Sequence, residues 1–446
     1  MEAMDFTEIV CTRQQRIAEL ARIHRELSFT SLAHHMDMSW LKEAYDRTRK
    51  DGAVGVDRQT ADEYAQDLRA NLASLLERAK SGLYKAPPVR RVYIPKAGSS
   101  TEKRPIGIPT FEDKVLQRAV QMILEPLYEQ DFLDCSYGFR PGRGAHQALE
   151  ALWRHLMRMG GGWVIDLDVR KFFDTLSHSH LREILATRVS DGVLTRLVGK
   201  WLKAGVWERG AVSYPETGSP QGGVISPMLS NIYLHEVLDK WFVEVVTPRL
   251  RGRGHLVRYA DDAVLVFEKE EDARRVMEVL PKRFEKYGLS IHPEKTRLIR
   301  FESPDRHGGG KEPDSVGESF SFLGFTHVWA RSGKGRWFVQ KRTDRKRLAR
   351  ALKAVSQWCR RNRHRSIVEQ QRILTLKLRG HYSYFGVTGN SRALGHYLHQ
   401  VRRIWHKWLG RRSRAQPIPW DRFQQLLARY PLPLPRVVHS VYHAKP

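Results

Sequence analysis

Arg258-Tyr259-Ala260-Asp261-Asp262, inside the apolar run Leu256–Phe267, is the stretch whose reading decides the fold. Its flanks are Leu256, Val257 and Tyr259 on one side and Ala263 to Phe267 on the other. They are short, β-branched and aromatic, which predicts two strands joined at a tight turn. Two adjacent carboxylates between buried strands are costly unless a cation compensates them. Mg²⁺ is the usual remedy, because it takes one or two carboxylates together with substrate phosphates. A lone Asp-Asp pair is more often a solvated hairpin tip, so the rest of the chain has to decide.

A second acidic strand is expected over Trp163–Asp168. Period-two alternation puts Trp163, Ile165 and Leu167 on one face and Val164, Asp166 and Asp168 on the other. Asp168 then emerges at the strand end, and Asp166 is read as a supporting acid further down the same face. Asp168 and the Asp261/Asp262 pair are far apart in the chain and meet only if their strands are neighbours in one sheet. Three converging carboxylates are what a two-metal phosphoryl-transfer site requires.

The charge balance agrees. Lys and Arg number 76 against 49 Asp and Glu, a net charge of +27, which predicts a polyanionic partner and salt-sensitive binding. At 41% hydrophobic residues the chain has real cores. Cys11, Cys135 and Cys359 form no C-x-x-C pair, so neither a structural zinc nor a disulfide framework is expected, in keeping with a reducing compartment. With no apolar run of signal-peptide or membrane-span character, the protein is expected to be soluble and cytoplasmic, without a membrane partner.

Taken in order, the chain predicts helices through residues 12–50 and Ala61–Lys80, a strand over Val89–Pro95, and a basic hairpin arm Lys103–Pro109 suited to gripping phosphates. A long helix Phe111–Tyr128 follows. The loop Ser136–Arg143 mixes aromatics, Gly and Arg, including Arg140 and Arg143, and suits contact with bases and phosphates. Gly218–Val224 is a Gly-rich turn opening a helix over Ile225–Leu238; it lacks the Lys of a P-loop, and Gln221 is its candidate base or sugar contact. A helix over Asp272–Tyr287 precedes Lys295, a candidate general acid for a pyrophosphate leaving group. Ser319–Phe325 is expected to be a small strand and turn. From Lys341 on, basic and aromatic residues interleave over Arg342–Arg361, Val368–Arg379 and Ala393–Arg411, which predicts a helical bundle with basic faces. The tail from Pro417 is Pro-rich and expected to be irregular.

With these motifs in place, the sequence resembles the group II intron reverse transcriptase/maturase family from roughly Leu68 to Arg411. Ile94-Pro95-Lys96 and Arg104–Pro109 resemble its fingers motif, implying that Lys96 and Arg104 hold the incoming triphosphate. Ser136–Pro141 matches a segment typical of the bacterial enzymes. Asp166–His178 resembles the first palm motif, with Asp168 a metal ligand and Phe173 the aromatic that disfavours a 2′-hydroxyl. Gly218–Gly223 resembles the motif beside the nucleotide, and Tyr259–Asp262 the Y-x-D-D box. Lys295 resembles the proton donor, and Phe322, Leu323 and Gly324 the primer grip. Leu378–Phe385 resembles the maturase, or thumb, signature.

The resemblance implies an α+β right-hand polymerase, with fingers and an antiparallel palm followed by an α-helical thumb. The expected segments are an N-terminal helical extension over 1–80, fingers and palm over 81–326, a thumb/maturase domain over 327–412 and a basic Pro-rich tail over 413–446. It implies an RNA-directed DNA polymerase that uses two Mg²⁺ (Mn²⁺ as a substitute), held by Asp168, Asp261 and Asp262. Its partners would be intron and template RNA, a DNA primer or target, and dNTPs, and it would support splicing and retrohoming. Arg140, Arg143, Arg379, Tyr382, Tyr384, Arg402 and Arg403 are the expected RNA contacts. The 35 residues after Arg411 hold no Cys pair or His cluster, so the endonuclease found in many members is not expected. Two alternatives remain: a non-catalytic splicing maturase, and a reverse transcriptase recruited to host defence or DNA repair.

Overall fold

The computed structural model describes residues 6–95, 103–214, 217–218, 222–304, 318–412 and 418–440. Its compact units are Met1–Ala148 with Ile165–Leu298, and Leu149–Val164 with Ile299–Pro446.

The first unit is built on the helix Phe111–Tyr128. Thr110 starts it by accepting a hydrogen bond from Asp113 N. Val115, Leu116, Ala119, Val120 and Ile123, spaced at helical intervals, are fully buried. The Trp40 indole donates to Ala119 O at 2.9 Å, which ties the N-terminal helices to this core. The helix expected over Ala61–Lys80 is in fact two, Ala61–Gln66 and Leu68–Ser81, separated by Asp67 in a non-helical conformation (φ −117°, ψ 41°).

The strands, in chain order, are β1 (Val89–Pro95), β2 (Lys103–Ile108), β3 (Gly161–Leu167), β4 (Val206–Glu208), β5 (Ala211–Ser213), β6 (Gly254–Tyr259), β7 (Asp262–Phe267) and β8 (Arg297–Glu302). One sheet has the order β2-β1-β4-β5 and another β6-β7-β3-β8. The second of these makes β7 and β3 neighbours, the condition under which the two acidic segments meet. The helix expected over Ile225–Leu238 runs from Ser226 to Leu234 and continues as a π-wound segment, His235–Val246.

The second unit holds β9 (Phe320–Phe322), β10 (Phe325–Arg331) and β11 (Trp337–Thr343) in the order β11-β10-β9. Helices Arg345–Arg361, Ile367–Phe385, Ser391–Leu409 and Trp420–Arg429 follow. The first starts three residues later than expected, because Arg342 and Thr343 finish β11 and the Asp344 carboxylate caps the helix by accepting from Arg347 N. Leu374, Leu378, Leu394, Val401, Trp405 and Phe423 form one buried cluster. The tail is therefore not irregular throughout: Phe423 and Leu427, one turn apart, bury against the bundle. The Phe322–Phe325 turn shares a unit with the helices. Among the described residues no helix is long and apolar enough to cross a membrane.

Candidate active site

Strands β6 and β7 pair up to Tyr259↔Asp262, which leaves Ala260 and Asp261 as a two-residue turn. Ala260 sits at φ 57°, a left-handed conformation that costs a non-glycine residue about 1–2 kcal/mol. A buried network holds it there. Arg258 donates to Ala260 O (3.0 Å) and Asn231 Oδ1 (3.0 Å), and forks onto both Asp239 carboxylate oxygens (2.7 and 2.5 Å). Both side chains of that ion pair are fully buried. Burial alone would raise the Asp239 pKa; the guanidinium overrides it, and the carboxyl lies below its ordinary value.

The π winding has a consequence here. Asn231 and Asp239 lie eight residues apart, which in a pure α-helix leaves them roughly 80° out of register. The wider turn from His235 onward reduces that offset, so both acceptors reach one guanidinium. The segment Tyr137-Gly138 closes the other side. Tyr137 N donates to Arg258 O at 2.9 Å, and a Cβ on Gly138 would sit 2.4 Å from Ala260 N, so only glycine fits. The sequence reading missed Arg258, Asn231, Asp239 and Gly138 as supports. The one signal was an arginine inside a strand otherwise reading as buried.

Of the acids, Asp261 and Asp168 interact electrostatically. Burial pushes the Asp261 carboxyl above its ordinary value and the Asp168 charge adds to this, while its own backbone N–H, Arg104 and Arg258 oppose. Asp168 is half-exposed with Lys295 Nζ 3.7 Å from its Oδ2, and its main chain is fixed by His292 N donating to Asp168 O at 2.8 Å. Asp166 stands off with Arg297 at 3.5 Å; burial raises its pKa against that partner. Asp262, first residue of β7, is exposed. Among the described residues no three His, Cys, Asp or Glu side chains converge as a protein-only metal cage. The mutually repelling Asp168–Asp261 pair nevertheless has the donor chemistry of a magnesium site completed by substrate phosphates.

Around this pair, Arg104 lies opposite Ile94 in the β1/β2 hairpin and acts electrostatically on Asp261. The Gly-rich turn is pressed between two elements: a Cβ on Gly218 would lie 2.8 Å from Phe173 O, and one on Gly222 would lie 2.6 Å from Gly107 O in β2. Phe173 itself is half-buried in the short helix Phe172–Thr175, edge-on to Phe172 at 5.3 Å. Lys96 and Gln221 lie outside the described residues.

The expected RNA contacts divide. Arg379 and Arg403 are exposed on helices of the second unit, and Arg402 is half-buried. Arg140 needs correction: its side chain is 2% exposed. It forks onto Glu129 at 2.9 Å and donates to Leu133 O and Ser136 O, so it staples the loop and has no face left for RNA. Arg143 is held by Asp134 at 2.6 Å and lies over the Tyr137 ring. Tyr382 is also corrected, being buried with its hydroxyl donating to Pro433 O. Tyr384 donates to Leu323 O at 2.8 Å and stacks on Phe325. It thereby supports the Leu323-Gly324 turn between β9 and β10, where both residues have positive φ (49° and 80°). Phe322 beside it is buried.

Residues 94–327 match the family model for reverse transcriptase (RNA-dependent DNA polymerase). The group II intron-encoded protein LtrA of Lactococcus lactis subsp. cremoris is 36% identical over 258 residues, covering 55% of this chain and 42% of that protein. Protein YkfC of Escherichia coli (strain K12) is 32% identical over 369 residues, 73% of this chain and 90% of the relative. Nuclear intron maturase 4, mitochondrial, of Arabidopsis thaliana is 27% identical over 195 residues, 44% and 23% respectively. The chain thus matches less than half the length of the intron-encoded relative and most of YkfC.

Proposed function

Since this chain belongs to the reverse transcriptase (RNA-dependent DNA polymerase) family, we propose that it copies an RNA template into DNA. The observation that carries the reading is the electrostatically coupled Asp168–Asp261 pair, one acid just past the end of β3 and the other just before its neighbour β7, with Arg104 and Lys295 beside it. The 3′-hydroxyl oxygen of a primer attacks the α-phosphorus of a dNTP; that P–O bond forms as the bond to pyrophosphate breaks. Two Mg²⁺ ions held by Asp168, Asp261 and Asp262, with Mn²⁺ as substitute, would when bound activate the attacking oxygen and neutralise charge on the leaving one. Arg104 and Lys96 hold triphosphate oxygens. Phe173 limits space at the sugar 2′ position, Gln221 contacts the nucleotide, and Lys295 gives a proton to the departing pyrophosphate. Phe322, Leu323 and Gly324 steady the primer end.

Relatives named for introns, together with the exposed Arg379 and Arg403, support a second role in the same protein: binding intron RNA as a splicing maturase and supporting retrohoming. Primer extension on an RNA template with Mg²⁺ tests the polymerase. Asp261→Ala/Asp262→Ala is expected to lose on the order of 10³-fold or more in rate while keeping RNA affinity. A folded, RNA-binding wild type that never extends a primer would overturn the polymerase reading in favour of splicing alone.

A further inference from the structure

A cavity of about 710 Å³ in the second unit lies where the β10/β11 hairpin meets the start of helix Ser391–Leu409. Its volume falls within the range of small-ligand sites. Phe338 supplies an aromatic wall, half-buried opposite Ala330 in the hairpin. At the hairpin end Arg331 lies over the Trp337 ring at 4.9 Å. Among the described residues, Arg331, Arg342 and Arg392 are the charged residues lining the cavity, and no carboxylate lines it. None of the three arginines is ion-paired among the described residues, in a chain where surface arginines commonly are: Arg251, Arg253 and Arg274, for example, each hold a glutamate.

The arginines are also positioned. Gln340 accepts from Arg342 Nε at 2.8 Å and donates to Gly389 O, which fixes that guanidinium against the loop entering the helix. Asn390, at the cap position, donates to Thr343 Oγ1 and Phe385 O, and no side chain caps the helix. First-turn N–H groups there add to the donors the arginines provide.

The geometry points to a binding site for one unpaired nucleotide of single-stranded RNA, with its base against Phe338 and its flanking phosphates on Arg392 and on Arg342, which shares the Phe338 face of β11. An aromatic face beside guanidinium groups without carboxylate partners is how unstacked bases and their backbone are recognised, and uncompensated positive charge in a concave site favours an anionic occupant. This inference rests on the RNA-binding part of the proposed function and is separate from the Asp168–Asp261 pair.

The test is fluorescence-anisotropy titration of the full chain with a short labelled single-stranded RNA, across a salt series. Arg342→Gln/Arg392→Gln removes two exposed guanidinium groups. It should weaken binding about tenfold and reduce the slope of log K against log salt by roughly 1.4, as expected for two phosphate contacts on a single strand. Phe338→Leu, which keeps apolar volume, should weaken binding about fivefold or more with little change in salt slope. Thermal unfolding of each variant checks the fold. Unchanged affinity and slope in folded variants would overturn the site while leaving RNA binding in place, and equal weakening toward duplex RNA would overturn the unpaired-nucleotide assignment. A wild type that binds no RNA would overturn both this site and the RNA reading, whereas retained extension on a pre-annealed primer-template would separate the site from the polymerase centre.

Discussion

Two hairpin turns in this molecule share a backbone solution and differ in how charge is handled near them. The Ala260-Asp261 turn joins β6 to β7, and the Leu323-Gly324 turn joins β9 to β10; each places a non-glycine residue at positive φ. Each turn carbonyl is tethered by a side chain, Ala260 O by Arg258 and Leu323 O by Tyr384. A buried cation lies near each. Arg258 is fully buried and matched by Asp239 on two hydrogen bonds. Lys341 in β11 is 5% exposed, lies across from His327 in β10, and has no ion-pair or hydrogen-bond partner among the described residues. Burial, only partly opposed by Glu150, pushes the Lys341 pKa down to about 8. His327, stacked on Phe320 at 4.7 Å, is pushed to about 3 by burial and by Lys341. A buried cation with a matched partner braces a turn, and one without a partner is a standing cost.

The comparison breaks if the two cations behave alike. Arg258→Met leaves Asp239 buried without its guanidinium, with His235 Nδ1 left beside it at 3.9 Å, and should cost about 3–5 kcal/mol. Arg258→Met/Asp239→Leu should recover much of this in thermal unfolding while primer extension stays impaired, because Ala260 O has lost its donor. Recovery of both would reduce Arg258 to a packing residue.

Lys341→Met should have the opposite sign. The ordinary lysine pKa of 10.5 falls to about 8 in the fold, so between those values the unfolded chain binds the proton more tightly and stability rises with pH. Below pH 8 the whole cost is present. The variant is therefore expected to be more stable than wild type at pH 7 by up to about 3 kcal/mol, a gain that shrinks as pH climbs toward 10.5. A gain independent of pH would assign the effect to packing.

Tyr384→Phe keeps the stacking on Phe325 and removes one hydrogen bond to Leu323 O. A loss of about 0.5–1.5 kcal/mol is expected, the smallest of the three. If Phe322–Gly324 grips the primer, the Michaelis constant for primer should rise more than the turnover falls; the reverse would detach the turn from primer handling.

Much of the fold was legible in the chain. Strand β1 and helix Phe111–Tyr128 fall on their expected residues, because strand and helix patterns are local and the helix has a Thr cap at its start. The site was legible as residue types in order. What misled was partner choice. Arg140 and Tyr382 sit in segments that read as RNA-contacting, and nothing local shows that Glu129 or Pro433 O occupies them. The helix Trp420–Arg429 was masked by the prolines around it, although Phe423 and Leu427 lie one turn apart.

By itself the sequence determined the acidic turn, the second acidic strand, the basic surplus and the order of the motifs, since each depends on neighbours a few residues away. The tertiary structure alone decided that β7 lies beside β3, which couples Asp261 to Asp168. It also decided that a π-wound segment brings Asn231 and Asp239 to Arg258, and that Lys341 is buried with no ion-pair partner among the described residues. Sheet order, helix winding and burial are set by contacts between residues distant in the chain, and the energy of a charge depends on those contacts rather than on its neighbours in sequence.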